Sequence, residues 1–237
     1  MNDDIPLYLN IERDLRRKIG AGDLKVGTQI ASEDALARAY GVSRMTLRHA
    51  LTRLVAAGVL ERRRGIGTFV GRPRIERDAG RLVGFAEDTS AQGMVPRTEV
   101  VEKVWVEPSA EDSRVLRQET GEAVLRIMRL RYANGEPLSF NVTQLTAAVG
   151  RLVEHEDFSS SLYTVLGGVV PNSDMFADQR IESIGADVNL ARLLDVETDS
   201  CLLRIERIIH AGQDTVVGLS RNYYRGDRYT LVQRIRR

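Results

Sequence analysis

Ser32-Glu33-Asp34-Ala35-Leu36-Ala37-Arg38-Ala39-Tyr40-Gly41-Val42-Ser43-Arg44-Met45-Thr46-Leu47-Arg48 is the stretch that decides the fold. Ser32 is a good helix N-cap, and Glu33 and Asp34 follow in the first turn, where the helix dipole favours acids. This helix is expected to run to about Tyr40 with Leu36 on its inner face. Gly41-Val42-Ser43 then makes a tight turn, and Ser43 caps a second helix from Arg44 to about Ala57. Two short helices joined by a three-residue turn containing glycine form a helix-turn-helix. In the second helix Leu47, Ala50, Leu51, Leu54 and Val55 share one apolar stripe, whereas Arg44, Thr46, Arg48 and Arg53 lie off it.

Upstream, Leu7, Ile11, Leu15 and Ile19 recur every four residues, which predicts an amphipathic helix preceded by Pro6 and stopped by Gly20-Ala21-Gly22. Downstream, Gly58 to Val70 reads as a β-hairpin whose tip carries Arg62-Arg63-Arg64-Gly65. A recognition helix places its N-terminal end in the DNA major groove. There an arginine such as Arg44 or Arg48 can donate two hydrogen bonds to guanine O6 and N7, and Thr46 can meet a phosphate or a thymine methyl. The helix alone would be equally well explained as a solvated face. A basic, glycine-containing hairpin directly behind it is more specific, because it completes a winged helix whose tip can approach the sugar-phosphate backbone. Charge agrees: residues 1–71 hold 12 Lys+Arg against 8 Asp+Glu, leaving 22 and 25 of the chain's 34 and 33 for the rest. A basic first third on an acidic remainder confines polyanion binding to the N-terminal part.

The 237 residues fit two domains, expected as 1–71 and 82–237, with the polar, breaker-rich stretch 72–81 as linker. Beyond it, strand-like runs at Thr98–Val106, Val124–Tyr132, Phe176–Ile184, Leu202–His210 and Thr215–Tyr224 alternate irregularly with short helical segments. The pattern predicts an α+β domain with a mostly antiparallel sheet. An internal repeat is visible at an offset of 78 residues: Arg114, Leu116, Glu119, Thr120, Leu125, Arg126, Ile127, Arg129 and Ala133 return as Arg192, Leu194, Glu197, Thr198, Leu203, Arg204, Ile205, Arg207 and Ala211. Each copy reads as helix, turn, strand, hairpin turn (Asn134-Gly135 or Gly212-Gln213) and strand, which implies pseudo-twofold symmetry with a cavity or seam between the copies. Alternation along the first strand puts Leu125, Ile127, Arg129 and Arg131 on one face. Two guanidinium groups side by side suit a phosphate or carboxylate. Arg129 has a repeat counterpart in Arg207 and could equally be structural. Arg131 corresponds to Ile209 and is the better ligand candidate.

These motifs resemble known families. Pro6-Leu7-Tyr8, Ser32-Glu33, Leu36-Ala37, Gly41 to Arg48 and Gly65-x-Gly67-Thr68-Phe69-Val70 are similar to the DNA-binding domain of GntR regulators over about residues 5–71. Gly80 to Phe85 with Glu87-Asp88, then Arg129-x-Arg131-Tyr132, Gly135-Glu136-Pro137-Leu138, Ser161-Leu162-Tyr163 and Ser220 to Tyr229 resemble the UTRA effector domain of the HutC subfamily, over about 80–232. The resemblance implies a chorismate-lyase-like fold for the second domain, and transcription control, most simply repression of a palindromic operator by a homodimer that a small anionic metabolite releases. It places DNA contacts at Arg44, Thr46, Arg48, Arg64 and Gly65, and effector contacts near Phe85, Arg129, Arg131, Asn141, Ser161 and Tyr224. Three departures stand out. Ala31 replaces a usual proline. Asp34 replaces an arginine that touches DNA in some members, which argues against Asp34 as a contact. Asn141, Gly218 and Ala86 stand where members that bind amino-sugar phosphates have two glutamates and a serine or threonine, which argues against that sugar class.

Other functions find little support. Cys201 is the only cysteine, so neither an intrachain disulfide nor a cysteine-rich metal site is expected. His49, His155 and His210 have no metal-type spacing, and all three read as surface residues. No P-loop, nucleophile elbow or dinucleotide motif occurs. No catalytic residue, metal or cofactor is therefore expected. No apolar run reaches membrane-spanning length, and Met1-Asn2-Asp3-Asp4 lacks a signal-peptide pattern. The expected place is the cytoplasm.

Overall fold

The computed structural model describes residues 6–71, 75–119, 121–171, 174–212 and 215–235. The Met1–Asp4 start, the first residues of the expected linker (72–74), Thr120 of the repeat and Gln213 of its second turn lie outside them. The chain divides into two compact units with the main boundary between Ile75 and Glu76; Thr89–Pro96 and Ala133–Glu136 group with the first.

In the first unit, helices α1 (Leu7–Gly20), α2 (Glu33–Tyr40) and α3 (Arg44–Ala56) precede a hairpin of β1 (Leu60–Arg63) and β2 (Gly67–Val70). Ser32 Oγ accepts the amide of Ala35 at 3.3 Å, and Ser43 Oγ accepts that of Thr46 at 3.1 Å, so both helix starts are capped as expected. Ile11, Leu15 and Ile19 of α1 meet Leu47, Ala50, Leu51 and Leu54 of α3 in one core closed by Val59, Leu60 and Val70. Leu7, expected on that apolar face, is exposed at the first position of the helix. Glu12 is buried and pairs with Arg53, a half-exposed off-stripe arginine of α3.

The second unit contains a six-stranded antiparallel sheet. Its strands are β4 (Pro96–Val106), β5 (Val124–Ala133), β6 (Glu136–Leu145), β7 (Met175–Gly185), β8 (Cys201–Ala211) and β9 (Thr215–Arg225), in the order β4-β5-β6-β9-β8-β7. The order is palindromic because the two repeat copies meet at the β6–β9 seam. Helices α5 (Ala110–Leu116) and α8 (Val188–Leu194) match at the repeat offset, and each ends on a left-handed residue, Arg117 (φ 54°) and Asp195 (φ 51°). Asn134 (φ 53°) and Gly135 (φ 80°) turn β5 into β6, the double left-handed geometry of a tight hairpin. One sheet face is covered by α6 (Ala147–Val153) and α7 (Leu162–Gly167), whose Val149, Val153, Leu162 and Leu166 pack with Leu125, Ile127 and Ile209. The stretch read as a linker also departs from expectation: Ile75–Asp78 is strand β3, paired with β10 (Tyr229–Val232). Its polar, charged sequence looked like loop because the arginine it buries, Arg77, is polar.

Candidate DNA-binding face and effector pocket

The first unit brings the expected DNA-contacting residues to the start of α3 and the tip of the hairpin. Arg44, Met45 and Arg48 are exposed, Met45 to 77%. The Thr46 hydroxyl lies 2.9 Å from Ser43 Oγ, so the cap and the Thr46 side chain steady each other. Gly65 takes φ 76° at the hairpin tip, a left-handed turn that a side chain would strain. Arg64 beside it is exposed and makes no ion pair among the described residues. Arg62 and Arg63 are otherwise engaged. Arg62 pairs with Glu33 at 2.8 Å, and Arg63 lies over the Phe69 ring and pairs with Glu61. The base of the wing is braced by Gln29, whose amide donates to the carbonyl of Ile66 at 3.0 Å. Asp34, set aside as a contact, forms an ion pair with Arg44, 2.6 Å from its Nε.

In the second unit a small polar cavity, with about 20 Å³ of free space, sits on the sheet face near the seam. Arg129 and Arg131 enter it from β5, Asn141 from β6, Arg207 from β8 and Ser220 and Asn222 from β9. Phe85 begins α4 (Phe85–Ala91), Ser161 and Tyr163 flank the start of α7, and Arg77 reaches in from β3. Four arginines thus line the cavity, with no acid among the lining residues.

A hydrogen-bond relay orders its floor. Arg129, fully buried, donates from Nε and Nη2 to Asn141 Oδ1 at 3.0 and 2.6 Å. Asn141 Nδ2 donates to Asn222 Oδ1 at 2.8 Å, and Asn222 Nδ2 donates to Ser220 Oγ at 2.9 Å. Thr143 Oγ1 adds a bond to Asn141 Oδ1 at 3.1 Å, so that oxygen is occupied within the protein. Burial, then the charge of Arg131, pushes the Arg129 guanidinium well below its usual proton affinity. Burial does the same to Arg131, against the pull of Tyr224. The Arg131 Nε is buried without a hydrogen-bond partner, and the group lies 5.3 Å from the Phe85 ring centre.

Of the expected effector residues, Phe85, Arg129, Arg131, Asn141 and Ser161 line one cavity. Tyr224 does not. It is fully buried, stacked on Tyr229 at 3.9 Å, and its hydroxyl receives Arg77 Nη1 at 3.5 Å. Burial would raise the Tyr224 proton affinity, but Arg77, Arg131 and Arg207 outweigh it and lower it. Arg77 was missed because its segment read as linker, although Ile75 and Arg77 alternate with Glu76 and Asp78 as a strand should. It is held by Asp88 at 3.2 Å and by the Val83 carbonyl. Arg207, read as the symmetric partner of Arg129, lines the same cavity and bonds Gln179 at 2.8 Å. Asn222 could have been found only by knowing which strands meet at the seam. The departure at Gly218 has a cause here: a Cβ there would lie 2.8 Å from the Gln144 carbonyl across the seam, so this backbone leaves no room for a glutamate.

His210, read as a surface residue, is buried. It stacks on Phe176 at 4.7 Å and lies 3.1 Å from Asp178, because the strand end it occupies is covered by neighbouring β7. His155 is exposed, and His49 is exposed beside Tyr8. Among the described residues no cluster of His, Cys, Asp or Glu could hold a metal ion, and no helix is long and apolar enough to cross a membrane.

A winged helix joined to a second domain with a small, arginine-lined cavity in a symmetric, mostly antiparallel sheet defines a class, the DNA-binding regulator with an effector domain. Comparison with known proteins agrees. The family of bacterial regulatory proteins named gntR matches residues 7–70, and the UTRA domain matches residues 91–230. The HTH-type transcriptional repressor NagR of Bacillus subtilis is 30% identical over 228 residues, 96% of this chain and 94% of that protein. The histidine utilization repressor of Pseudomonas putida is 27% identical over 230 residues, covering 97% and 92%. PhnF from Mycobacterium smegmatis shares the fold, with TM-score 0.67 and 24% identity across 95% of this chain and 99% of that one. The chain belongs to the GntR family of bacterial transcription regulators, in the HutC-like branch that carries a UTRA domain. It is a DNA-binding regulator and not an enzyme.

Proposed function

We propose that the protein is a cytoplasmic repressor that binds a palindromic operator as a homodimer and leaves it when a small anionic metabolite enters the arginine cavity. Arg44, Thr46 and Arg48 read bases or position the helix, and Arg64 and Gly65 meet the backbone beside the groove. The observation that carries the effector reading is Arg131: a buried guanidinium with an unsatisfied Nε, in a cavity with four arginines and no lining acid. A buried, unpaired charge is costly, and a bound carboxylate or phosphate would relieve it through charge-assisted bonds. The names of the NagR and histidine utilization relatives support repression. Arg129 and Arg207 add to the positive field, and Ser161 offers a hydroxyl. Release of DNA requires that the anion favour a dimer geometry unsuited to the operator, so operator and anion must weaken each other by the same factor. The test is titration of a panel of sugar phosphates, phosphate, phosphonates and carboxylates, with and without operator. Arg131→Ala should lower affinity for the best anion about tenfold to a hundredfold and leave operator affinity without anion unchanged. Equal anion affinity with and without operator would leave a DNA-binder whose second domain only dimerises.

A further inference from the structure

Two acids open helix α2, and each bonds a basic residue on the DNA face: Glu33 holds Arg62 of the wing at 2.8 Å, and Asp34 holds Arg44 of α3 at 2.6 Å. The second pair is unexpected where phosphates must approach, since an acid there repels DNA. Its geometry shows what it can do. Arg44 is the first residue of α3, and its side chain is 76% exposed. The nearest approach of Asp34 is to Nε, and a guanidinium paired there still has two terminal nitrogens to offer. Those two form the parallel donor pair that matches guanine O6 and N7. Arg48, one turn further, makes no such ion pair among the described residues.

We propose that Asp34 is a specificity-determining positioning residue, a carboxylate that aims the Arg44 guanidinium at a guanine while weakening binding to DNA of any other sequence. The proposal rests on the reading of Arg44 as a base contact. An unheld arginine has several rotatable bonds and can turn to the nearest phosphate, which carries no sequence information. Paired with Asp34, it has fewer conformations in which it can turn to the backbone. The charge of Asp34 meanwhile disfavours every duplex alike. Asp34 therefore trades general affinity for discrimination.

The experiment uses the full chain and an operator selected by the parent protein from a randomised duplex pool. Affinities are measured for that operator, for operators with one base pair replaced at a time, and for a random duplex. The pair read by Arg44 is the one whose replacement weakens the parent about tenfold or more but costs Arg44→Ala nothing. In Asp34→Ala that penalty should shrink about fivefold, while affinity for the random duplex rises. Asp34→Asn keeps an acceptor oxygen and should fall between the two. Glu33→Gln removes a charge from the same turn without touching Arg44, and should leave the penalty intact. If Asp34→Ala tightens operator, replaced operator and random duplex by one common factor, Asp34 is only a repelling charge and the proposal is wrong. If Arg44→Ala loses discrimination at no base pair, the base-contact reading itself fails, an outcome seen without any Asp34 variant.

Discussion

Asn141 Oδ1 receives two hydrogen bonds from Arg129, at 3.0 and 2.6 Å, deep in the sheet. The partner of this buried guanidinium is thus a neutral amide. Its shape and donors are satisfied, but its charge is not, and that charge remains available to whatever enters the cavity.

Replacing the amide by a carboxylate tests this directly. Asn141→Asp would neutralise Arg129 from within the protein. Affinity for the preferred anion should fall about tenfold or more, while in the melting temperature of the free protein the counter-ion gained by Arg129 is set against the lost Asn141 Nδ2 donation to Asn222. Thermal melts with and without anion measure both. A folded variant that binds the anion as the parent does would show that Arg129 contributes no field to the site.

On the DNA face, Arg44→Ala and Arg48→Ala should each cost roughly 1–3 kcal/mol at the operator and leave the melting temperature unchanged. Arg64→Ala should weaken operator and random duplex alike, and lower the slope of log affinity against log salt by about one. Fluorescence anisotropy across a salt series separates the two kinds of contact. A sequence-selective loss in Arg64→Ala would move that residue from the backbone to the bases.

The protein should be a dimer at micromolar concentration, with two chains on each palindromic duplex, because one winged helix covers only a half-site. Light scattering alone and with operator decides it. One chain per duplex would remove the palindrome.

Asp112 supplies a pH prediction. It is buried on α5 and receives Arg221 Nη2 at 2.6 Å and Gln144 Nε2 at 2.9 Å. Burial acts to raise its proton affinity, but these hydrogen bonds and the Arg221 charge prevail and hold it below the usual carboxylate range. A depressed carboxylate contributes stability above its unfolded value, near 4, that is lost as pH falls through the lower folded value. Asp112→Asn should be less stable at pH 7 by about 1–3 kcal/mol and lose less than the parent between pH 5 and pH 3. Parallel acid dependences in the two proteins would place the acid-sensitive group elsewhere.

The local units follow from short-range chemistry along the chain. Ser32 and Ser43 start helices through caps formed within three residues, Asn134-Gly135 turns a hairpin through its own backbone preference, and the alternation of Leu125, Ile127, Arg129 and Arg131 sets one face of a strand. The repeat even announced a seam, because equal sequences fold to equal units. These features depend on neighbours along the chain. What Arg77, Arg207, Asn222 and Tyr224 face was settled only when β3, β8 and β9 came together around the cavity. A polar side chain has the same local signature whether it ends in water, against a ligand or against a tyrosine. Arg77 looked like linker and lies in the cavity wall; Tyr224 looked like a ligand contact and lies against Arg77. Asp34 is the same case on the first unit. Its charge was legible, but its partner, ten residues along the chain on another helix, was chosen by how α2 packs on α3.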